Sequence, residues 1–267
     1  MNAQLEAGWV DAGWLSLREP ADAAARSAEL VVYVDQPVVV HDLGAGTGSM
    51  ARWLAPRLPG PQRWILYDQD ADLLRRAAAM TLVAADGAPV TVETRQCDLT
   101  RLGAELAGAD LITMSALLDL FTAEEVDRVV AACAAAGCPT LATLSVTGKV
   151  QLTPADRLDV TVMDAFNAHQ RRTVGGRRLL GPNAVDAAAA AFERCGATVR
   201  TRPSPWRLGP EHADLTGAWL RGWVGAAREQ RPELAAPLTT YESRRLTEAA
   251  GGGLEVVVQH SDLLATF

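Results

Sequence analysis

The run Val38-Val39-Val40-His41-Asp42-Leu43-Gly44-Ala45-Gly46-Thr47-Gly48-Ser49 constrains this chain more than any other. Three successive valines suit a strand covered on both faces, as in a parallel sheet. The strand ends in an acid and passes directly into glycines at alternate positions. Such glycines tolerate positive φ and let a ligand approach the backbone closely. A helix expected from about Ser49 to Leu58 would turn its N-terminal amides toward the same point. Ligands of open parallel sheets sit outside the carboxyl ends of the strands. The run therefore predicts a nucleoside-bearing cofactor at the end of the first strand.

The pattern that follows supports a doubly wound α/β fold. Strands are expected at 63–67, 90–96, 110–114 and 139–146, with helices at 71–85 and 123–136 between them. Alternation of this kind implies right-handed crossovers and a mostly parallel sheet. A further helix is expected at 184–195, a sixth strand at 198–202 and a seventh at 254–260. The seventh is reached after a long helical stretch at 210–250, interrupted by Pro232 and Pro237, and is expected to pair antiparallel at the sheet edge. Before the first strand, Pro20 suits the first position of a helix reaching Val34. The division expected is an N-terminal helical lid over 1–36 and a main domain over 37–267, with substrate-side insertions near 152–183 and 210–250.

Each strand end carries a polar signal. Asp42 can accept hydrogen bonds from a cationic or hydroxyl-bearing group but would repel a pyrophosphate. Asp68, in Tyr67-Asp68-Gln69-Asp70, can take both hydroxyls of a ribose, or it can cap the following helix. Asp98, in Cys97-Asp98-Leu99, can meet an exocyclic amine while Leu99 touches a base; a solvated turn residue is the other reading. Met114-Ser115-Ala116-Leu117-Leu118-Asp119 follows the fourth strand, where cofactor and substrate would meet. Asp119 is open to a catalytic role or to capping a short turn.

Taken together, these four elements resemble the class I S-adenosylmethionine-dependent methyltransferases of the small-molecule type. The resemblance covers Pro37 to about Val146 and rests on topology beyond. It implies a Rossmann-like seven-stranded fold, S-adenosyl-L-methionine as cofactor and an enzyme. Asp42, Gly44, Ala45, Gly46 and Gly48 fall on the cofactor loop, Asp68 and Gln69 on the ribose site, Asp98 and Leu99 on the adenine contact. Ser115 to Asp119 falls on the segment facing the methyl group. The Asn/Asp-Pro-Pro-Tyr pattern used on exocyclic amines is replaced by Ser115-Ala116-Leu117-Leu118, so a small-molecule acceptor is expected; transfer to oxygen is placed ahead of transfer to nitrogen or carbon. Gly46-Thr47-Gly48-Ser49-Met50-Ala51 also satisfies G-x-G-x-x-A. An NAD(P)-dependent oxidoreductase thus stays as a rival, as does a non-catalytic cofactor-binding subunit.

Candidates for a general base come from four histidines: His41, His169, His212 and His260. His is the natural base near neutrality. His41 lies inside the first strand and reads first as core. His169 sits among Asn167, Arg171 and Arg172 in a segment able to fold over the active-site mouth; it is the expected base or substrate hydrogen-bond donor, with a solvated helix face as the other reading. Trp9, Trp14, Arg18, Asp22 and Arg26 mark the N-terminal segment. Arg18, Asp22 and Arg26 recur every four residues, either as an exposed ion-pair ladder or as a lid whose Arg18 forks onto the cofactor carboxylate. Trp206, Trp219 and Trp223 either wall an aromatic substrate or pack in a core.

Bulk properties narrow the classes. The net charge of −7 disfavours a nucleic-acid partner. Cys97, Cys133, Cys138 and Cys195 lack Cys-x-x-Cys spacing, so neither a metal site nor a disulfide framework is expected. No signal peptide or membrane span is evident, which predicts a cytoplasmic protein without membrane contact. A homodimer stays open.

Overall fold

The computed structural model describes residues 11–267; Trp9, named above with the lid, lies outside them. The chain begins with helix α1 (Ala12–Ala25) and the short α2 (Ala28–Val31). The expected start at Pro20 is two turns late. Asp11 caps the helix by accepting from Gly13 N at 3.0 Å, and Trp14, Leu17, Ala21 and Ala25 form one stripe packed on a core cluster. Burial of that stripe carries the helix through Pro20 despite the lost backbone donor.

The central sheet is built from β1 (Val39–Leu43), β2 (Gln62–Asp68), β3 (Val90–Gln96), β4 (Leu111–Ser115), β5 (Thr140–Thr153), β8 (Thr198–Pro203), β9 (Trp206–Leu208) and β10 (Glu255–Thr266); β6 (Thr173–Val174) and β7 (Arg177–Arg178) form a separate hairpin. The order is β3-β2-β1-β4-β5-β10-β8, with β9 also pairing β10. Strands β1 to β5 run parallel, and β10 is antiparallel to β5, β8 and β9. The expected fold class is the one found. The antiparallel strand stands one place in from the edge, because β8 and β9 both pair with its outer side.

Helices α3 (Ser49–Leu54) and α4 (Ala71–Ala78) cover one face of the sheet, where Leu30, Val40, Met50, Trp53, Trp64 and Leu66 are buried together. Helices α5 (Ala123–Ala136) and α7 (Ala184–Arg194) cover the other. The bounds of α5 match expectation because Thr122 and Glu125 form a reciprocal capping box. Helix α4 ends well before the expected Ala85, since Val83 bridges Pro89 across a turn at Gly87. Strand β5 outruns its expected end at Val146, because β10 pairs with it as far as Thr153.

A third cluster lies beyond the carboxyl ends of the strands. Helices α6 (Asp159–Gln170), α8 (Ala213–Gln230) and α9 (Ala235–Ala250) pack there with α1 and the projecting ends of β5, β9 and β10. Pro237 lies in the first turn of α9, where a missing N–H is harmless, and so does not break it. This outbuilding roofs the projecting strand ends. Among the described residues, no helix is long and apolar enough to cross a membrane.

Candidate active site

A cavity of about 480 Å³ opens at the carboxyl ends of β1, β2 and β4. Asp42, Gly44, Ala45, Gly46, Asp68, Gln69, Asp98, Leu99, Ser115 and Arg18 all line it. Of the expected cofactor residues only Gly48 stands back. Its φ is +85°, and a Cβ there would lie 2.5 Å from Met80 Cε, so it is glycine for backbone conformation and packing against α4. Gly46, at φ +54°, faces Leu15 of α1, whose Cδ1 would lie 3.0 Å from an added Cβ.

Asp42 is fully buried in β1. Thr113 Oγ1 donates to its Oδ1 at 2.7 Å, while Oδ2 has no partner. Burial pushes this carboxyl up to about 7, against the opposing pull of the Thr113 bond and of Arg26. Asp68 accepts from Gly46 N at 2.8 Å and from Asp70 N at 3.0 Å, so it fastens the glycine loop to the end of β2. Desolvation raises its carboxyl while these backbone bonds lower it. The cap of α4 is Asp70, which accepts from Asp72 N and Leu73 N. Asp98 is exposed and holds Thr100 through its N–H and hydroxyl, at 3.0 and 2.7 Å. It is thus both a turn residue and a wall of the cavity.

Behind the cavity Arg26 is buried, and it donates to Ser49 Oγ at 3.0 Å and Ser115 Oγ at 3.1 Å. Ser115 also accepts from Thr143 Oγ1 at 3.0 Å. The ladder reading of α1 fails for a physical reason. Arg18 and Asp22 do pair, at 2.8 Å, but Asp22 is buried and Arg18 half-buried, and Asp22 also accepts from Trp206 Nε1 at 2.9 Å.

A second cavity, of about 160 Å³, lies under the helical outbuilding. Trp14, Phe166, Trp206, Trp219 and Trp223 form much of its wall, with Asp119, Asn167, Gln170, Lys149 and His260. Arg18 and Ala116 line both cavities and mark where they meet. Ala116 holds φ +50°, a conformation that costs a non-glycine residue about 1–2 kcal/mol. Asp119 is partly buried, and burial pushes its carboxyl up to about 6.

His169 lines neither cavity. Val162, Ala165 and His169 recur at i, i+3 and i+7 and form the buried stripe of α6; the imidazole Nε2 lies 3.9 Å from Glu229 of α8. Burial and then Arg172 push it down to about 4. The base role expected for His169 therefore has no geometry to support it. On the same helix Phe166, Asn167 and Gln170 reach the smaller cavity instead. His41 is a core residue whose Nδ1 lies 3.2 Å from Tyr67 Oη. His260, one of the four candidates by residue type, lies in the smaller cavity beside Trp206, ring centroids 5.3 Å apart. Burial, and then Arg18, push His260 down to about 3, so it is neutral near pH 7. Its only sequence signal was its place on the late strand.

Residues 40–139 match the family model described as a methyltransferase domain. The match agrees with the resemblance to the class I S-adenosylmethionine-dependent methyltransferases over that stretch and supports S-adenosylmethionine as the cofactor. The match favours that reading over the nicotinamide one. Solved structures share the fold at low identity. A cyclopropane-fatty-acyl-phospholipid synthase-like protein from Lactobacillus casei is 15% identical, with 94% of this chain and 92% of that one covered and a TM-score of 0.54. The cyclopropane synthase MmaA2 from Mycobacterium tuberculosis is 13% identical, with 96% and 95% covered and a TM-score of 0.51. A methyltransferase from Methanosarcina mazei is 10% identical, with 91% and 98% covered and a TM-score of 0.51. No curated protein matches the sequence.

The residues fit this cofactor. The larger cavity has the size of a ligand pocket, and the unpaired Oδ2 of Asp42 leaves a buried acceptor for a cationic donor.

Proposed function

We propose that the chain methylates an oxygen of a small organic acceptor, with Asp119 as general base. In this reading Asp42 and the glycine loop hold the amino-acid part of the cofactor, Asp68 and Gln69 the ribose, and Asp98 and Leu99 the adenine. Arg18 and α1 cover the cleft. When bound, S-adenosylmethionine supplies a methyl group on a sulfonium and departs as a neutral thioether. The chain's own work is then to position the acceptor oxygen and to take its proton. Positioning of reacting groups can contribute several kcal/mol, up to about 7–11 in ideal cases.

The observation that carries this reading is the junction of the two cavities at Arg18 and Ala116, with a carboxyl on the acceptor side. Asp119, near 6, is mostly ionised at neutral pH yet basic enough to accept a proton. The test is Asp119→Asn, assayed with methyl-labelled cofactor and a cell extract as acceptor source, products being found by untargeted mass spectrometry. Turnover should fall by about 10²–10⁴-fold, with S-adenosylhomocysteine affinity unchanged. Turnover within about threefold of the parent removes Asp119 as base, since a base contributes far more.

A further inference from the structure

Size, wall chemistry, charge and unpaired polar atoms of the smaller cavity converge on one class of acceptor. This rests on reading that cavity as the acceptor chamber. Its volume of about 160 Å³ is close to the ~150 Å³ of an apolar cavity that takes up benzene. One ring fits.

The walls are flat aromatic surfaces. Trp219 and Trp223 stack at 4.9 Å with planes 19° apart, and the rings of Trp14 and Trp206 lie 6.3 Å apart. Indole faces favour either a flat ring or a cation. The cation is disfavoured. The Arg18 guanidinium already sits over Trp206 at 5.1 Å and Trp14 at 6.0 Å. Lys149 also lines the chamber, and among the described residues lining it Asp119 is the one acid. With Arg18 paired to Asp22 and Lys149 set against Asp119, a positively charged amine finds no net negative charge here. A neutral ring whose oxygen becomes negative as its proton leaves would meet opposite charge.

The polar signal is specific. Trp223 Nε1, His260 Nδ1, Asn167 Oδ1 and Gln170 Oε1 are buried and have no hydrogen-bond partner. Asn167 Nδ2 is spent on Gly148 O at 2.7 Å, which leaves its carbonyl oxygen as the unpaired end. Buried polar groups are ordinarily paired, so a set belonging to one cavity's residues asks for a ligand that supplies both donors and an acceptor.

We propose that the chamber binds a neutral, single-ring aromatic hydroxy compound carrying a second polar substituent. Trp223 donates to one of its oxygens, and Asn167 and Gln170 accept from its donors. The ring lies among the tryptophans, with the reacting hydroxyl toward Arg18 and Ala116.

The test is calorimetric titration of the full chain, with S-adenosylhomocysteine present, using three probes. Resorcinol has the flat ring and two hydroxyls, 1,3-cyclohexanediol the hydroxyls without the flat ring, and benzylamine the flat ring with a positive charge. Resorcinol should bind about fivefold or more tightly than either of the others. Trp223→Phe, which keeps a ring and removes the donor, and Gln170→Met, which keeps the length and removes the acceptor, should each weaken resorcinol about threefold or more. A thermal melt checks that both variants stay folded. Benzylamine or cyclohexanediol binding as tightly as resorcinol overturns the proposal, and so does resorcinol failing to bind or binding both folded variants as it binds the parent. Failure of the broader reading looks different. Resorcinol held in the chamber while Asp119→Asn transfers methyl at the parent rate removes the base and keeps the chamber; methylation of an aliphatic alcohol with resorcinol unbound removes the chamber's assignment and keeps oxygen transfer.

Discussion

Asp42 makes the stability of the ligand-free protein fall as pH rises, by an amount that can be worked out. Its carboxyl is fully buried, one oxygen is bonded to Thr113 and the other is unpaired. Burial lifts it from 3.8 to about 7. A group whose folded value exceeds its unfolded one contributes most below the unfolded value, and that contribution is lost as pH rises through the folded value. The window here runs from 3.8 to about 7. Between pH 5 and 8 the linkage relation gives a loss of about 2–3 kcal/mol. Asn at this position keeps an oxygen for Thr113 and carries no charge. Asp42→Asn should therefore gain on the parent across the same interval, and for a domain of this size about 2–4 °C accompanies each kcal/mol.

The assay is scanning fluorimetry of parent and variant in parallel at pH 5, 6, 7 and 8. Taking the difference between the two proteins removes the titration of His41, Asp68 and Asp262, which both share. The melting-temperature advantage of Asp42→Asn should widen by roughly 5–10 °C from pH 5 to pH 8. Binding adds a second reading. A cofactor ammonium near Asp42 favours the ionised carboxylate, so the parent's affinity for S-adenosylhomocysteine should tighten as pH rises through about 7, and the variant's should not share that trend. An advantage constant to within about 1 °C at every pH would refute the reasoning, because it would mean that Asp42 does not titrate in this window.

Asp68→Ala should weaken S-adenosylhomocysteine by about tenfold or more in calorimetry, because it removes the proposed ribose acceptor and frees Gly46 N; unchanged affinity contradicts the ribose assignment. Gly48→Ala should cost about 1–2 kcal/mol for its left-handed backbone alone, read as a melting point lower by roughly 2–8 °C, and Met80→Ala in the same chain should recover part of the loss, since Met80 is what the new Cβ meets. Asp262→Ala strips the acceptor from the N–H groups of Ser27 and Leu144, each held at 2.7 Å, and should destabilise by about 2–5 kcal/mol; Asp262→Asn, with one oxygen left, should fall between it and the parent in denaturant titration. Transfer should decline below a pH of about 6, where Asp119 gains its proton, and Asp119→Asn should lack that limb in a pH–rate profile.

The two halves of the site were unequally legible, for a reason that lies in the chain's connectivity. The cofactor side is local. Strand, acid, glycine loop and helix occupy one stretch from Val38 to Ser49, and each further acid follows its own strand directly. Short-range patterning suffices for such a site, and only Gly48 turned from a lining residue into a packing one. The smaller cavity, proposed to take the acceptor, joins Arg18, Asp119, Asn167, Trp206, Trp223 and His260, drawn from nearly the whole length of the chain. No local period connects them. His169 looked catalytic because of its polar neighbours, although its spacing with Val162 and Ala165 marked it as a buried stripe. Arg18 and Asp22 looked like a surface ladder because i,i+4 pairs usually are, and only the roof of α8 and β9 removes them from water. The split has a physical consequence. The glycine loop is held by the sheet, through Gly44 N and Ala45 N on Tyr67 O at 2.8 and 2.9 Å and Gly46 N on Asp68, whereas the acceptor walls are held by a helical cluster packed on the projecting ends of β5 and β10. The cluster can be repacked without disturbing the hydrogen bonds of the cofactor loop. Arg18 and Ala116, which border both cavities, are where a change of acceptor would be felt by the cofactor.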